Sequence, residues 1–244
     1  LAPYVVRQDD LAALGEGDGK IQAYCFRLCL TDAKDNQVQI QRPREYDPAR
    51  FVLARNYLKS ASELLNFGDF VHTTGKIPNG KVDANSSGAV STNLLGASAE
   101  YPDAIYGRRQ EIWNEHLTWT QGLIYYLQND PEVPARIQTE ARRWGLAKDE
   151  FVDTGHWPHQ LYIREARRMV GDFVVTQRHV NQQAGFVATD SVGMGGYNMD
   201  SHHAQRWAAA AGVKNEGDVQ VAPAAGPYGI SYRALVPRAS EVEN

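Results

Sequence analysis

Asp200, His202 and His203 stand together in DSVGMGGYNMDSHHAQRW, residues 190 to 207. On a strand, Asp200 and His202 face the same way, and an aspartate beside a histidine can orient an imidazole for proton transfer. The alternative is a hydrogen-bonded structural pair. The glycines just before them let the backbone turn sharply or approach a ligand closely. A second polar group lies in HWPHQLYIREARRMVGDFVVT, residues 156 to 176, which holds His156, His159, Arg164, Arg167 and Arg168. A third is AAGPYGISYRALVP, where a strand sets Tyr228 and Ile230 on one face, Tyr232 beside them and Arg233 on the other. Arginine suits a carboxylate or another anion, and equally a structural salt bridge.

Metal chemistry is not expected from these residues. His156 and His159 flank Trp157-Pro158 on an extended loop, unlike the two histidines that one helix turn presents to zinc. Cys25 and Cys29 are four apart in an apolar strand-like run, with no companion at ligand spacing, so they read as buried thiols. The glycines of LAALGEGDGK, residues 11 to 20, follow no strand and open no apolar helix. They form a surface loop, not a dinucleotide fingerprint.

The elements that must position these residues are legible in part. IQAYCFRLCLTD alternates as a strand over 20 to 30, with Cys25, Arg27 and Cys29 on one face and Tyr24, Phe26, Leu28 and Leu30 on the other. Both faces are largely apolar, which predicts a central strand. Arg27 within it is either paired or at a cleft. Helical spacing of Phe51, Ala54, Leu58, Ala61 and Leu65 predicts a helix over about 49–66. A longer helix follows over about 102–128, with Ile105, Ile112, Trp113, Leu117, Ile124 and Leu127 as its stripe. Asp130 and Pro131 read as cap and first turn of another helix, 131 to 143, closed near Gly145. Residues 67–100 read as one long irregular loop, and such loops often carry function. The alanines from 208 to 211 favour helix until Gly212. For 161 to 170, strand and helix periodicities both remain open. Thr176 caps a short turn.

Composition narrows the classes. The chain has 244 residues, an apolar share of 43% and a formal charge of -4 with both signs dispersed. That gives room for a sizeable core and no basic footprint for nucleic acid. No apolar run approaches a membrane span. The fold class expected is α+β: a mixed, largely antiparallel sheet with a helical cluster over about 48–145.

Several long motifs in fixed order resemble one family. They are YCFRLCLTD, the Tyr46-Asp47-Pro48 triplet, GKVDANSSGAVSTN, EYPDA, GLIYYLQNDPEVP, WGLAKDEF, HWPHQLYIREARRMVG, SVGMGGYNMDSH, NEGD and YGISYRALVP. The chain resembles the middle part of bacterial FAD-dependent oxidoreductases, often labelled xanthan lyases. The family pattern carries two asparagines where this chain has Asn85 and Ser86. The resemblance implies a substrate domain inserted in a Rossmann-type FAD-binding domain, with residues 1–244 as one substrate-domain fragment. It implies FAD in the full-length protein and none bound by this fragment, whose partners are the FAD-binding domain of the same polypeptide and an unspecified small molecule. The segment ASEVEN would end where the family re-enters the flavin domain. The resemblance favours REARRMVG as a strand leading to a turn.

The resulting expectation is that His156, Arg164, Asp200, His202, Tyr228 and Arg233 converge on one face that closes over the flavin ring. His202, Asp200 and His156 would serve catalysis. Arg164, Tyr228 and Arg233 would serve substrate binding. A non-catalytic binding module and a carbohydrate-acting lyase are the competing readings. The lyase lacks a carboxylate pair at matching spacing. A soluble protein of the bacterial cytoplasm or an exported one fits equally.

Overall fold

Alternation around Phe26 organises the structure, a computed structural model that describes residues 3–13, 16–61, 63–223 and 225–241. The strands are β1 (Val5–Val6), β2 (Leu28–Thr31), β3 (Gln37–Val38), β4 (Val71–Ile77), β5 (Lys81–Ser86), β6 (Gly145–Ala147), β7 (Ser191–Gly195), β8 (Met199–Ser201), β9 (Gln205–Ala209), β10 (Gly212–Glu216), β11 (Val219–Val221) and β12 (Tyr228–Ser231). The helices are α1 (Val52–Ala61), α2 (Tyr106–Asn129), α3 (Ala135–Arg142) and the short α4 (Gln177–Val180). The fold is α+β with mostly antiparallel pairing, as expected.

The chain divides into two compact units. One comprises Leu1–Glu165 with Ala204–Glu216, the other Ala166–His203 with Gly217–Asn244. The first unit holds a five-stranded antiparallel sheet in the order β3-β6-β2-β5-β4, so β2 is interior. It also holds the three-stranded β1-β9-β10, in which only β1 and β9 run parallel. Tyr24, Phe26, Leu28 and Leu30 all point into the core, each 0–1% exposed. Phe26 meets the rings of Trp113 and Trp157 edge-on, at 5.4 and 6.1 Å. Trp119, Leu123, Ile124 and Leu127 of α2 and Ala54 and Leu58 of α1 close over the same cluster. Burial of each large side chain contributes about 1.5–3 kcal/mol.

Several expectations need correction. The strand expected over 20 to 30 is β2 alone, with Cys25 joined only by an isolated bridge to Tyr162. Residues 67–100 are not one loop, because Val71–Ile77 and Lys81–Ser86 form a hairpin whose turn carries Asn79 and Gly80 at positive φ. Ile105 is the N-cap of α2 and 78% exposed, so it lies outside the buried stripe. Asp130 ends α2 and accepts the Glu132 N–H, and the next helix starts only after Pro134. Gly145 begins β6, where a Cβ would sit 2.6 Å from the Val38 carbonyl oxygen. Ala208 and Ala209 are in β9, held there by pairing to β10 rather than by local propensity. Residues 163–171 form neither strand nor helix. Their arginines find partners elsewhere than on a regular ladder.

The second unit is built of the two-stranded ladders β8-β11 and β7-β12. Among its described residues only Val180 and Ser231 are buried. A small aromatic group, Phe173, His179 and Phe186, packs around α4 with ring centroids 4.7 and 5.2 Å apart. Thr176 caps that helix through a reciprocal bond with His179, as expected. Of ASEVEN, residues 242–244 lie outside the described residues, as do 14 and 15 of the glycine loop.

Candidate functional site

The face of β2 opposite the core is polar. Register sets Cys29 beside Asp83, and Thr74 beside Asp83 on the other side. Two residues along, Arg27 and Asn85 fall on that same face, because side chains alternate with a period of two. Arg27 is paired: its Nε donates to Asp83 Oδ1 at 3.0 Å, and a terminal nitrogen bonds the other carboxylate oxygen. This ion pair holds the guanidinium above its ordinary pKa. Lys81, 5% exposed, is clasped by Asp149 and Glu150, which raise its pKa likewise.

Arg164 is anchored across this face. One terminal nitrogen donates to the Ala23 carbonyl at 2.5 Å and to Asn93 Oδ1 at 3.0 Å. The other reaches Cys25 Sγ at 3.3 Å and Asn85 Oδ1 and Ser86 Oγ at 3.4 Å. Its Nε is buried without a hydrogen-bond partner. The Tyr162 ring lies against both Arg27 and Arg164, at 5.1 and 5.0 Å. Arg27 and Tyr162 also line a cavity of about 400 Å³ with Phe151 and His159. Asp83, Asn93 and Tyr162 escaped the sequence reading. Reading KVDANS as a strand would have set Asp83 and Asn85 on one face. Asn93 had no local signal.

His156 follows Gly155 in a tight turn, both at positive φ. Its Nδ1 is 3.1 Å from the Glu150 carbonyl. A carbonyl only accepts, so Nδ1 is the donor in this bond. His156 and Arg164 belong to the first unit, and the other four expected site residues to the second.

In the second unit, His202 Nε2 is 3.7 Å from Asp200 Oδ1. That is an electrostatic contact, too long for a hydrogen bond. Tyr228 packs its ring on Gly195, where a Cβ would approach within 2.8 Å. Arg233 binds Asp190 through Nε at 3.0 Å and stacks on Phe173 at 5.2 Å. Arg233 and the Ser231 hydroxyl hold the Asp190 carboxyl well below the usual carboxylate range. Asp200 lies on the β8-β11 ladder with His202 just beyond it, whereas Tyr228 is in β12 and Arg233 follows it.

One further pair has the types of a catalytic dyad. Ser98 Oγ lies 3.3 Å from His116 Nε2, and His116 Nδ1 lies 2.7 Å from the Ile112 carbonyl. Ser98 also accepts the Tyr24 N–H, and His116 is fully buried, which lowers its pKa. This is a core hydrogen-bond chain with no route for substrate.

Among the described residues, no group of three or more His, Cys, Asp or Glu is placed to hold a metal ion. No described helix is long and apolar enough to cross a membrane. A dinucleotide's pyrophosphate needs a glycine turn leading from a strand into a helix N-terminus. Here α1 follows a proline-bearing segment, α2 follows some twenty residues of turns after β5, and α3 follows α2. The described residues therefore do not fit that cradle. No curated protein and no solved structure matches the chain. The family model of FAD dependent oxidoreductases matches residues 3–244, and the chain belongs to that family.

Proposed function

We propose that this chain is the substrate-binding portion of an FAD dependent oxidoreductase, inactive alone, whose flavin is held by an FAD-binding domain of the same polypeptide. The observation that carries the reading is a family that uses FAD, joined to described helices none of which follows a glycine turn from a strand. FAD would accept the substrate's electrons, and this chain would bind and orient the substrate. Exposed apolar residues in the second unit support a partner surface. Val174, Val187, Val192, Met194 and Tyr197 are each 59–69% exposed.

The residues proposed for chemistry keep their roles within this reading. Arg164 presents a cation in a shell of neutral oxygens and a thiol, which suits an anionic substrate. His202 would take a proton, with Asp200 shortening its 3.7 Å contact once a partner surface excludes water. His156 would serve catalysis, and Tyr228 and Arg233 substrate binding, each within its own unit. The test is a titration of the purified chain with FAD, followed by flavin absorbance and fluorescence. No stoichiometric binding is expected, and one tightly bound equivalent would refute the reading. In the full-length enzyme, His202→Ala should slow flavin reduction by roughly 10²-fold or more. A near-normal rate would remove His202 from the chemistry.

A further inference from the structure

Arg206 of the first unit also bonds only neutral partners, and its situation differs from that of Arg164. It is 5% exposed, on β9 opposite Asn215 of β10. Its Nε donates to Asn215 Oδ1 at 2.7 Å, and one terminal nitrogen donates to the Ala89 carbonyl at 2.6 Å. Asn215 bonds the same carbonyl, at 2.8 Å. No carboxylate among the described residues pairs with Arg206. A guanidinium has five N–H groups, so these two bonds leave most of the fork uncommitted.

Arg206 lines a cavity of about 390 Å³ together with Leu53, Tyr57, Ser60, Val90 and Val213. The lining is largely apolar, with Asn56, Ser60 and Asn215 as polar points beside Arg206. A buried cation without a counter-charge is costly. Burial alone lowers the Arg206 pKa, to about 10.

We propose that this cavity binds a small organic carboxylate with an apolar body, its charge set against Arg206. One guanidinium offers a single bidentate seat, which matches a monoanion. The apolar walls would take a short aliphatic or aromatic body, as ligand pockets commonly do. A phosphate dianion would find one cation and no second. The site is independent of the flavin reading, since it rests on residues that reading does not use.

The experiment is calorimetric titration of the full chain with hexanoate, hexanamide and inorganic phosphate. Saturable one-to-one hexanoate binding is expected, with hexanamide and phosphate each weaker by roughly tenfold or more. Arg206→Met should weaken hexanoate by roughly tenfold or more, as loss of a buried charge pair does. Asn56→Trp, at an exposed position of α1 on the cavity wall, should block hexanoate while leaving the fold intact. That variant decides the matter if Arg206→Met fails to fold. No hexanoate binding at about 10 mM, equal binding of hexanamide or phosphate, or unchanged affinity in a folded variant would each overturn the proposal.

Discussion

The two units bury their strands differently. In the first, every residue of β2 is buried, and Arg27 just before it is locked in a pair with Asp83 of β5. In the second, β7 and β11 are largely exposed, and the ladders are joined by backbone bonds and a few polar contacts. An isolated two-stranded ladder is marginal in water. The first unit thus carries its own stability. In the second, only Val180 and Ser231 are buried among its described residues.

The contrast is broken or sharpened most strongly by core truncation. Phe26→Ala should cost about 3–5 kcal/mol in urea unfolding, because it empties the space between Trp113 and Trp157. Met194→Ala, at a position 65% exposed, should change stability by no more than about 0.5 kcal/mol. Equal losses at the two positions would erase the distinction between the units.

A smaller effect is expected at glycines. In Gly145→Ala the new methyl meets Gln37 Cγ at 2.5 Å and the Val38 carbonyl oxygen at 2.6 Å. Backbone there cannot yield cheaply, so a loss of about 1–3 kcal/mol is expected. Gly193→Ala, with nothing within 4 Å, should be close to neutral by the same measurement.

The smallest effect is local and depends on pH. Asp190 has a depressed pKa in the folded chain, owing first to Arg233 and then to Ser231. Its contribution is therefore complete above the ordinary carboxylate value of about 3.9 and is lost as pH falls through the folded value. Amide exchange in β7 and β12 should quicken on acidification before that of β2. Asp190→Asn should show quick exchange already at neutral pH, with no further response to acid. Protection unchanged in Asp190→Asn would mean that the ladder does not depend on this contact.

Much of this was written locally. Tyr24, Phe26, Leu28 and Leu30 alternate into the core, and Ala54 and Leu58 recur at helical spacing, because burial on one face imposes a period on neighbouring residues. Thr176 is a cap because its partner His179 is three residues away. What tertiary structure alone decided has partners far along the chain. The 163–171 stretch is irregular even though both periodicities fit it. Arg164 there bonds the carbonyl of Ala23, 141 residues earlier, and the Asn93 amide, 71 residues earlier. The β4–β5 hairpin hid in a stretch rich in Gly, Ser and Asn because β5 gains its regularity from pairing with β2. Ala208 became strand by pairing with Val213. Arg206 has no local signal for burial, and it is enclosed through β9 and the Ala89 carbonyl, 117 residues earlier. Periodicity records which side of an element is buried; the hydrogen-bond partner of a charged group is chosen by register between distant segments, and that register exists only once they have packed.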